Sequence, residues 1–288
     1  MQTLHHTPRI GAGALAAAFS LFGPLASLPL NAAVTITDSF TRSGPLNGDT
    51  AEFASSGSYA WTASGPNGGG YYANGSTILA GPAGDDVNAP TTRLAWVDQT
   101  LGASERAVLS LDVSLVNNLT TDLAWSSISF LNNPYFFDSA EWNSGQMTLR
   151  LMNTGEWWVL GHHYGFNSQD ILAHGVAGSA PGFVAGGLNN LKLDYDNATN
   201  LLSAYINNTQ VMAALNPFET PGVSPNSPGF EPTITASGFH MYAGDTQGSA
   251  ADNFSLVITT SGVPEPSRLL LLASGGITLI FRRRRTAA

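Results

Sequence analysis

The chain has 288 residues and no cysteine, and its 20 Asp and Glu against 11 Lys and Arg give a formal net charge of −9. The charge is segregated: residues 1–33 hold one base and no acid, residues 263–288 hold five arginines and one acid, and residues 34–262 hold five bases against 19 acids, a net of −14. The missing cysteine excludes disulfides, thiolate metal sites and a Cys nucleophile, and a middle so poor in Lys and Arg cannot replace the counterions around phosphate, which excludes nucleic acid as a partner.

In chain order, the first element is an apolar run. His5, His6 and Arg9 precede Ile10 to Leu30, which closes on Leu30-Asn31-Ala32-Ala33. A weakly basic start, an apolar middle and a small-residue exit predict a secretory signal peptide over residues 1–33. Signal peptidase would then cut after Ala32 or Ala33. The competing reading is an uncleaved membrane anchor, which Pro24 and Pro29 would interrupt.

Residues 34–262 read as one all-β domain, because apolar residues recur with a period of two and nowhere with a helical period over three turns. Leu109, Leu111, Val113 and Leu115 alternate with Ser110, Asp112 and Ser114. Met147, Leu149 and Leu151 flank Thr148 and Arg150; Leu191, Leu193 and Tyr195 flank Lys192, Asp194 and Asp196; Phe254, Leu256 and Ile258 flank Ser255. Each pattern predicts a half-buried antiparallel strand with its polar residues toward water. Asx-rich turns lead into strands over Leu201–Ile206 and, after Asn207-Asn208, over Thr209–Ala213. Glycine-rich Ser64–Gly70 and proline-rich Asn216–Pro232 predict long loops.

Several segments of this body resemble one fold family. They are Asp38-Ser39-Phe40-Thr41-Arg42 with Trp61, the stretch Leu191–Ile206, and Asp252-Asn253-Phe254-Ser255-Leu256. Together they resemble the concanavalin A-like jelly rolls of laminin-G, lectin and glucanase type. The resemblance implies an antiparallel jelly-roll sandwich whose first and last strands pair, bringing Asp38 near Asp252. Some related carbohydrate-binding jelly rolls hold structural calcium where the termini meet, so Asp38 and Asp252 are the expected Ca2+ ligands. Asp85-Asp86 and Asp194-Tyr195-Asp196-Asn197 are further oxygen-rich turns.

Laminarinase-like members place Glu-x-Asp-x-Glu on one strand, and that spacing does not occur here. Glu141 and Glu156 sit beside Trp142 and Trp157-Trp158 without an identifiable partner acid. His162-His163-Tyr164 contains the residue types of a polysaccharide lyase, but adjacent strand residues point to opposite faces and cannot serve one site. His174 and His240 stand alone. Catalytic residues are therefore not assigned. Sugar binding needs exposed aromatic faces and polar side chains, and Trp142, Trp158 and Tyr72 are the candidates. Trp157 and Trp158 must face opposite ways, one into the core.

The last element follows Val263. Pro264-Glu265-Pro266 precedes Arg268, an apolar run over residues 269–281 and the block Arg282, Arg283, Arg284 and Arg285. As a helix that run spans about 20 Å, short of a hydrocarbon core of about 30 Å, although flanking arginines can snorkel. The arginine block would hold its end in the cytoplasm. The ordered trio over residues 263–285 resembles the PEP-CTERM sorting signal of exopolysaccharide-producing Gram-negative bacteria. It implies a short transmembrane helix in the inner membrane and processing by an exosortase near Pro264-Glu265-Pro266. A plain tail anchor is the alternative. The expected protein is exported, sorted to the surface or extracellular matrix, and carbohydrate-associating or structural there. A glycoside hydrolase or polysaccharide lyase on the same jelly roll is the competing class.

Overall fold

Alternating runs such as Ala107, Leu109, Leu111 and Val113, with Ser110 and Asp112 between, bury one side of an extended backbone and leave the other partly open. The computed structural model describes residues 34–64, 71–80, 91–115, 124–131, 147–161, 170–217, 233–243 and 249–260. All of them belong to the compact unit Ala33–Ala288. Among them every regular element is a strand, joined by turns, and no helix there is long and apolar enough to cross a membrane. The signal-peptide segment, the sorting signal and the apolar run 269–281 lie outside the described residues, as do 65–70 and 218–232 of the two long loops.

The strands make two antiparallel sheets. The ten-stranded sheet contains β1 (Val34–Asp38), β2 (Ser43–Pro45), β3 (Phe53–Ala54), β5 (Tyr71–Asn74), β6 (Ile78–Ala80), β8 (Glu105–Ser114), β13 (Leu188–Asp196), β14 (Leu201–Ile206), β15 (Thr209–Leu215) and β17 (Ala250–Thr260). The seven-stranded sheet runs in the order β12 (Asp170–Gly175), β11 (Trp157–Gly161), β10 (Met147–Met152), β9 (Trp125–Leu131), β16 (Ala236–Ala243), β7 (Thr91–Asp98) and β4 (Trp61–Ser64). The first and last described strands pair as expected, with Asp38 opposite Phe254. Asn207 and Asn208 both take positive φ, 49° and 61°, and form the two-residue turn from β14 to β15.

One continuous core lies between the sheets. Leu109, Leu111, Leu191 and Leu193 from one sheet meet Ile128, Phe130, Leu149 and Leu151 from the other, all with no exposed surface. Its aromatic end joins Phe40, Trp61, Tyr71, Phe239 and Phe254, with the rings of Trp61 and Phe254 edge-to-face at 4.8 Å. At Gly238 the β16 and β7 backbones approach so closely that a Cβ would stand 2.1 Å from the Ala95 carbonyl oxygen. Only glycine fits there.

Most expected strands form where the alternation places them, but one expectation fails on burial. Thr148 and Arg150 on β10 do not face water: they are 3% and 5% exposed. Both faces of the seven-stranded sheet are buried near its centre, and that second buried face is the feature of interest.

Candidate functional site

The outer faces of the two sheets differ in kind. On the ten-stranded sheet, register places Tyr205, Lys192, Ser110, Ser255 and Thr37 in one row. The Lys192 ammonium lies 4.2 Å from the Tyr205 ring centre. Arg106 donates two hydrogen bonds to Asp194, at 2.7 and 2.5 Å. This is the solvated polar face the sequence predicts, and Asp194 is committed to the Arg106 guanidinium rather than to a metal ion.

On the seven-stranded sheet the outer row reads His174, Trp158, Arg150, Ser127, His240, Leu94 across six strands. The next row reads Leu160, Thr148, Ser129, Gly238, Trp96, Thr62. Trp125 lies two residues from Ser127, on the same side. The Arg150 guanidinium carbon stands 4.0 Å from the Trp125 ring centre and 5.9 Å from that of Trp158. His240 meets the Trp125 ring edge-on at 4.7 Å. Ser129 and Thr148 share a 2.9 Å hydrogen bond. Burial, aided by the positive charge of Arg150, pulls the His240 pKa down to about 3. The imidazole is therefore neutral at ordinary pH, with one donor and one acceptor nitrogen, and Arg150 carries the charge of the group. The cluster is buried in its middle and opens at the β12 side, where Trp158 is half-buried and His174 exposed.

Trp96, Trp125, Ser127, Ser129, Thr148, Arg150 and His240 are buried, so what this face presents to a ligand is the Trp158 indole and the His174 imidazole at its open side. An accessible indole face takes the C–H side of a sugar ring, and an exposed imidazole exchanges hydrogen bonds with its hydroxyls. Among the described residues two carboxylates border this face: Asp98 on β7, which accepts a 3.2 Å hydrogen bond from the Trp96 indole, and Glu156 just ahead of β11. Four strand spacings separate β7 from β11, about 19 Å. Glycoside hydrolysis needs its two carboxyls within about 5–9.5 Å, so these two do not form a pair.

Of the aromatic residues nominated from sequence, Trp158 lies on this face and Trp157 packs into the core, as the alternation requires. Tyr72 alternates with buried Tyr71 on β5 and so lies on the outer face of the opposite sheet. Trp158 and Tyr72 cannot line one site. Trp142, Glu141, Asp85-Asp86 and His162-His163-Tyr164 lie outside the described residues. Arg150 and His240 were not singled out as a pair by sequence reasoning. Ninety residues separate them, and nothing local in either strand signals that β10 and β16 both flank β9.

Asp38 and Asp252 do not fit a calcium site. Both Asp38 oxygens accept from Arg42, each at 2.8 Å, and the carboxylate also accepts from the Trp61 indole at 2.7 Å and the Phe40 amide at 2.9 Å. Calcium takes about six to eight oxygen ligands, and these oxygens face donors. Asp252 accepts from the Asn253 amide at 2.7 Å. Burial raises its pKa first, and the charges of Asp112, Glu52 and Asp38 add to the rise against that hydrogen bond. Among the described residues no group of three His, Asp or Glu is placed to hold a metal.

No family model matches the chain, and no curated protein does. Solved structures do. Endo-1,3-beta-glucanase from Streptomyces sioyaensis is similar at a TM-score of 0.50 and 11% identity, over 78% of this chain and 95% of that one. The carbohydrate recognition domain of Emp46p is similar at 0.48 and 11%, over 68% and 87%. The exoplasmic/lumenal domain of VIP36, in a Ca2+/Man3GlcNAc-bound form, is similar at 0.45 and 12%, over 69% and 83%. The described strands form an antiparallel jelly-roll sandwich, the fold shared with that glucanase.

Proposed function

We propose that this chain is a polysaccharide-associating protein that binds sugar on the outer face of its seven-stranded sheet, at the open side marked by Trp158 and His174. The observation that carries the reading is the contrast between the two outer faces. One is a solvated field of Ser, Thr and paired charges; the other sets Trp96, Trp125 and Trp158 around Ser127, Ser129, Thr148, Arg150 and His240. The glucanase neighbour makes sugar recognition a natural use of the fold, although shared fold alone does not fix function. Asp98 and Glu156 stand on strands four spacings apart, about 19 Å, too far for a hydrolytic pair, and this favours binding over hydrolysis.

The ends of the chain supply the setting of the proposal. The run closing on Ala32-Ala33 would direct export through signal peptidase. Pro264-Glu265-Pro266, the apolar run and Arg282 to Arg285 would hold the chain in the inner membrane until an exosortase processes it. The body would then act at the cell surface or in the extracellular polysaccharide matrix.

The test is a glycan array probed with the full-length chain, in calcium and in chelator, beside Trp158→Ala. Binding to a defined polysaccharide that weakens about tenfold or more in Trp158→Ala, a loss of about 1.4 kcal/mol or more, is the expected result. Binding that Trp158→Ala leaves intact moves the site elsewhere, and no binding under either condition refutes the reading.

A further inference from the structure

We infer that the junction where β1 and β17 meet is held by an internal cation, the Arg42 guanidinium, and that this junction needs no divalent metal. The inference is independent of the sugar-binding reading.

The geometry is that of a cation with a complete set of anionic neighbours. Arg42 engages Asp38 through both terminal nitrogens at 2.8 Å, contacts Asp49 through Nε, and lies 3.6 Å from a Glu52 oxygen. A planar guanidinium matches a carboxylate bidentately, which makes the Asp38 pair directional as well as ionic. Burial lowers the Arg42 pKa, and the hydrogen bonds and charges of Asp38 and Asp49 more than restore it. The acids that remain have their own donors. Glu52 accepts the amide and hydroxyl of Ser39 at 3.0 and 2.5 Å and those of Thr41 at 2.6 Å each. Asp112 takes the side-chain amides of Asn190 and Asn253 at 2.8 and 2.9 Å.

The position of this group in the fold explains why a cation is needed there. Asp38 ends β1, which pairs with both β17 and β3 in the ten-stranded sheet. Trp61, which donates to Asp38, begins β4 in the other sheet. Asp49 accepts the Trp61 backbone amide through its carbonyl at 2.7 Å. Phe40 turns at φ 50° so that its ring enters the core while its amide reaches back to Asp38. One buried carboxylate thus links the two sheets and the chain reversal at residues 38–42. Left without a counter-charge it would be costly to bury, and the guanidinium four residues on supplies that charge from the same segment.

The test compares wild type, Arg42→Gln, Asp38→Asn and the double variant Asp38→Asn/Arg42→Gln of the full-length chain by thermal unfolding, each with calcium chloride and with EDTA. Removing one partner of a buried pair is expected to lower the melting temperature of Arg42→Gln by about 5–10 °C. The fall should be equal with calcium and with chelator. The double variant leaves no uncompensated buried carboxylate, so it should melt above Arg42→Gln, which keeps the comparison informative if that single variant folds poorly. Two results overturn the inference. One is an Arg42→Gln melting temperature equal to that of wild type. The other is a chelator-induced fall in wild type that Asp38→Asn abolishes, which would place a metal on Asp38.

Discussion

Acid should weaken this fold through His240 well before it reaches the carboxylates. The ordinary imidazole value is 6.5, and in the folded protein burial and Arg150 bring it down to about 3. Between those limits the unfolded chain binds a proton that the folded one refuses, so stability is fully present above 6.5 and is lost as pH falls toward 3. One proton is worth about 1.4 kcal/mol per pH unit, giving a loss of about 2 kcal/mol by about pH 5 and at most about 5 kcal/mol over the whole window. Protonation inside the window would put a second positive charge beside Arg150 in a buried aromatic setting, with Trp125, Ser127 and Leu94 as the other neighbours. Urea unfolding followed by tryptophan fluorescence from about pH 7 to about pH 4 measures the slope for wild type and for His240→Gln, which does not titrate. The wild-type curve should fall with acid through the upper part of the window while the variant curve stays level there. Parallel falls in the two proteins would show that His240 is not the group responsible and would refute the reasoning.

Glu52 acts in the same direction in a lower window. Burial pushes its pKa up, but the hydrogen bonds from Ser39 and Thr41 outweigh it and bring it down to about 2 from 4.5. Its contribution is present above 4.5 and lost as pH falls toward 2, so the melting temperatures of wild type and Glu52→Gln should differ at neutral pH and converge through that range. Phe254→Ala removes a fully buried ring that meets Trp61 at 4.8 Å and Phe239 at 6.3 Å. It should cost about 3–5 kcal/mol by urea unfolding with an unchanged denaturant slope.

The sheet architecture was legible wherever one face is core and the other wet. Leu191, Leu193 and Tyr195 against Lys192, Asp194 and Asp196 gave β13 its faces from sequence, and Leu201–Ile206 matches β14 residue for residue. The same rule failed on β10 because alternation reports only a difference between faces, not whether the polar face reaches water. Arg150 and Lys192 occupy equivalent polar positions in their patterns, yet one is buried against Trp125 and the other lies over Tyr205 on the half-buried outer face of the other sheet. Tertiary neighbours decide that, and they come from β9 and β16. The terminal-strand pairing was legible through resemblance, but the role of Asp38 was not. Arg42 stands four residues away in the sequence, and whether it turns back onto Asp38 depends on Phe40 adopting a positive φ.

The outer face of the seven-stranded sheet is not what packing alone would select. Its β7 side shows an apolar solution to the same geometry, since Leu94, Trp96, Leu131 and Ala236 form a small buried cluster there. The other half instead buries a guanidinium, an imidazole and three hydroxyls. Burying such groups gains little stability over apolar residues of similar size, and His240 lowers stability as soon as the pH drops below 6.5. Local departures from the packing rule that carry a cost are where functional sites are expected. The departure here lies beside Trp125 and ends at the accessible Trp158 and His174, which is why the proposed sugar site is placed on this half of the face and not on the smoother, better solvated back of the ten-stranded sheet.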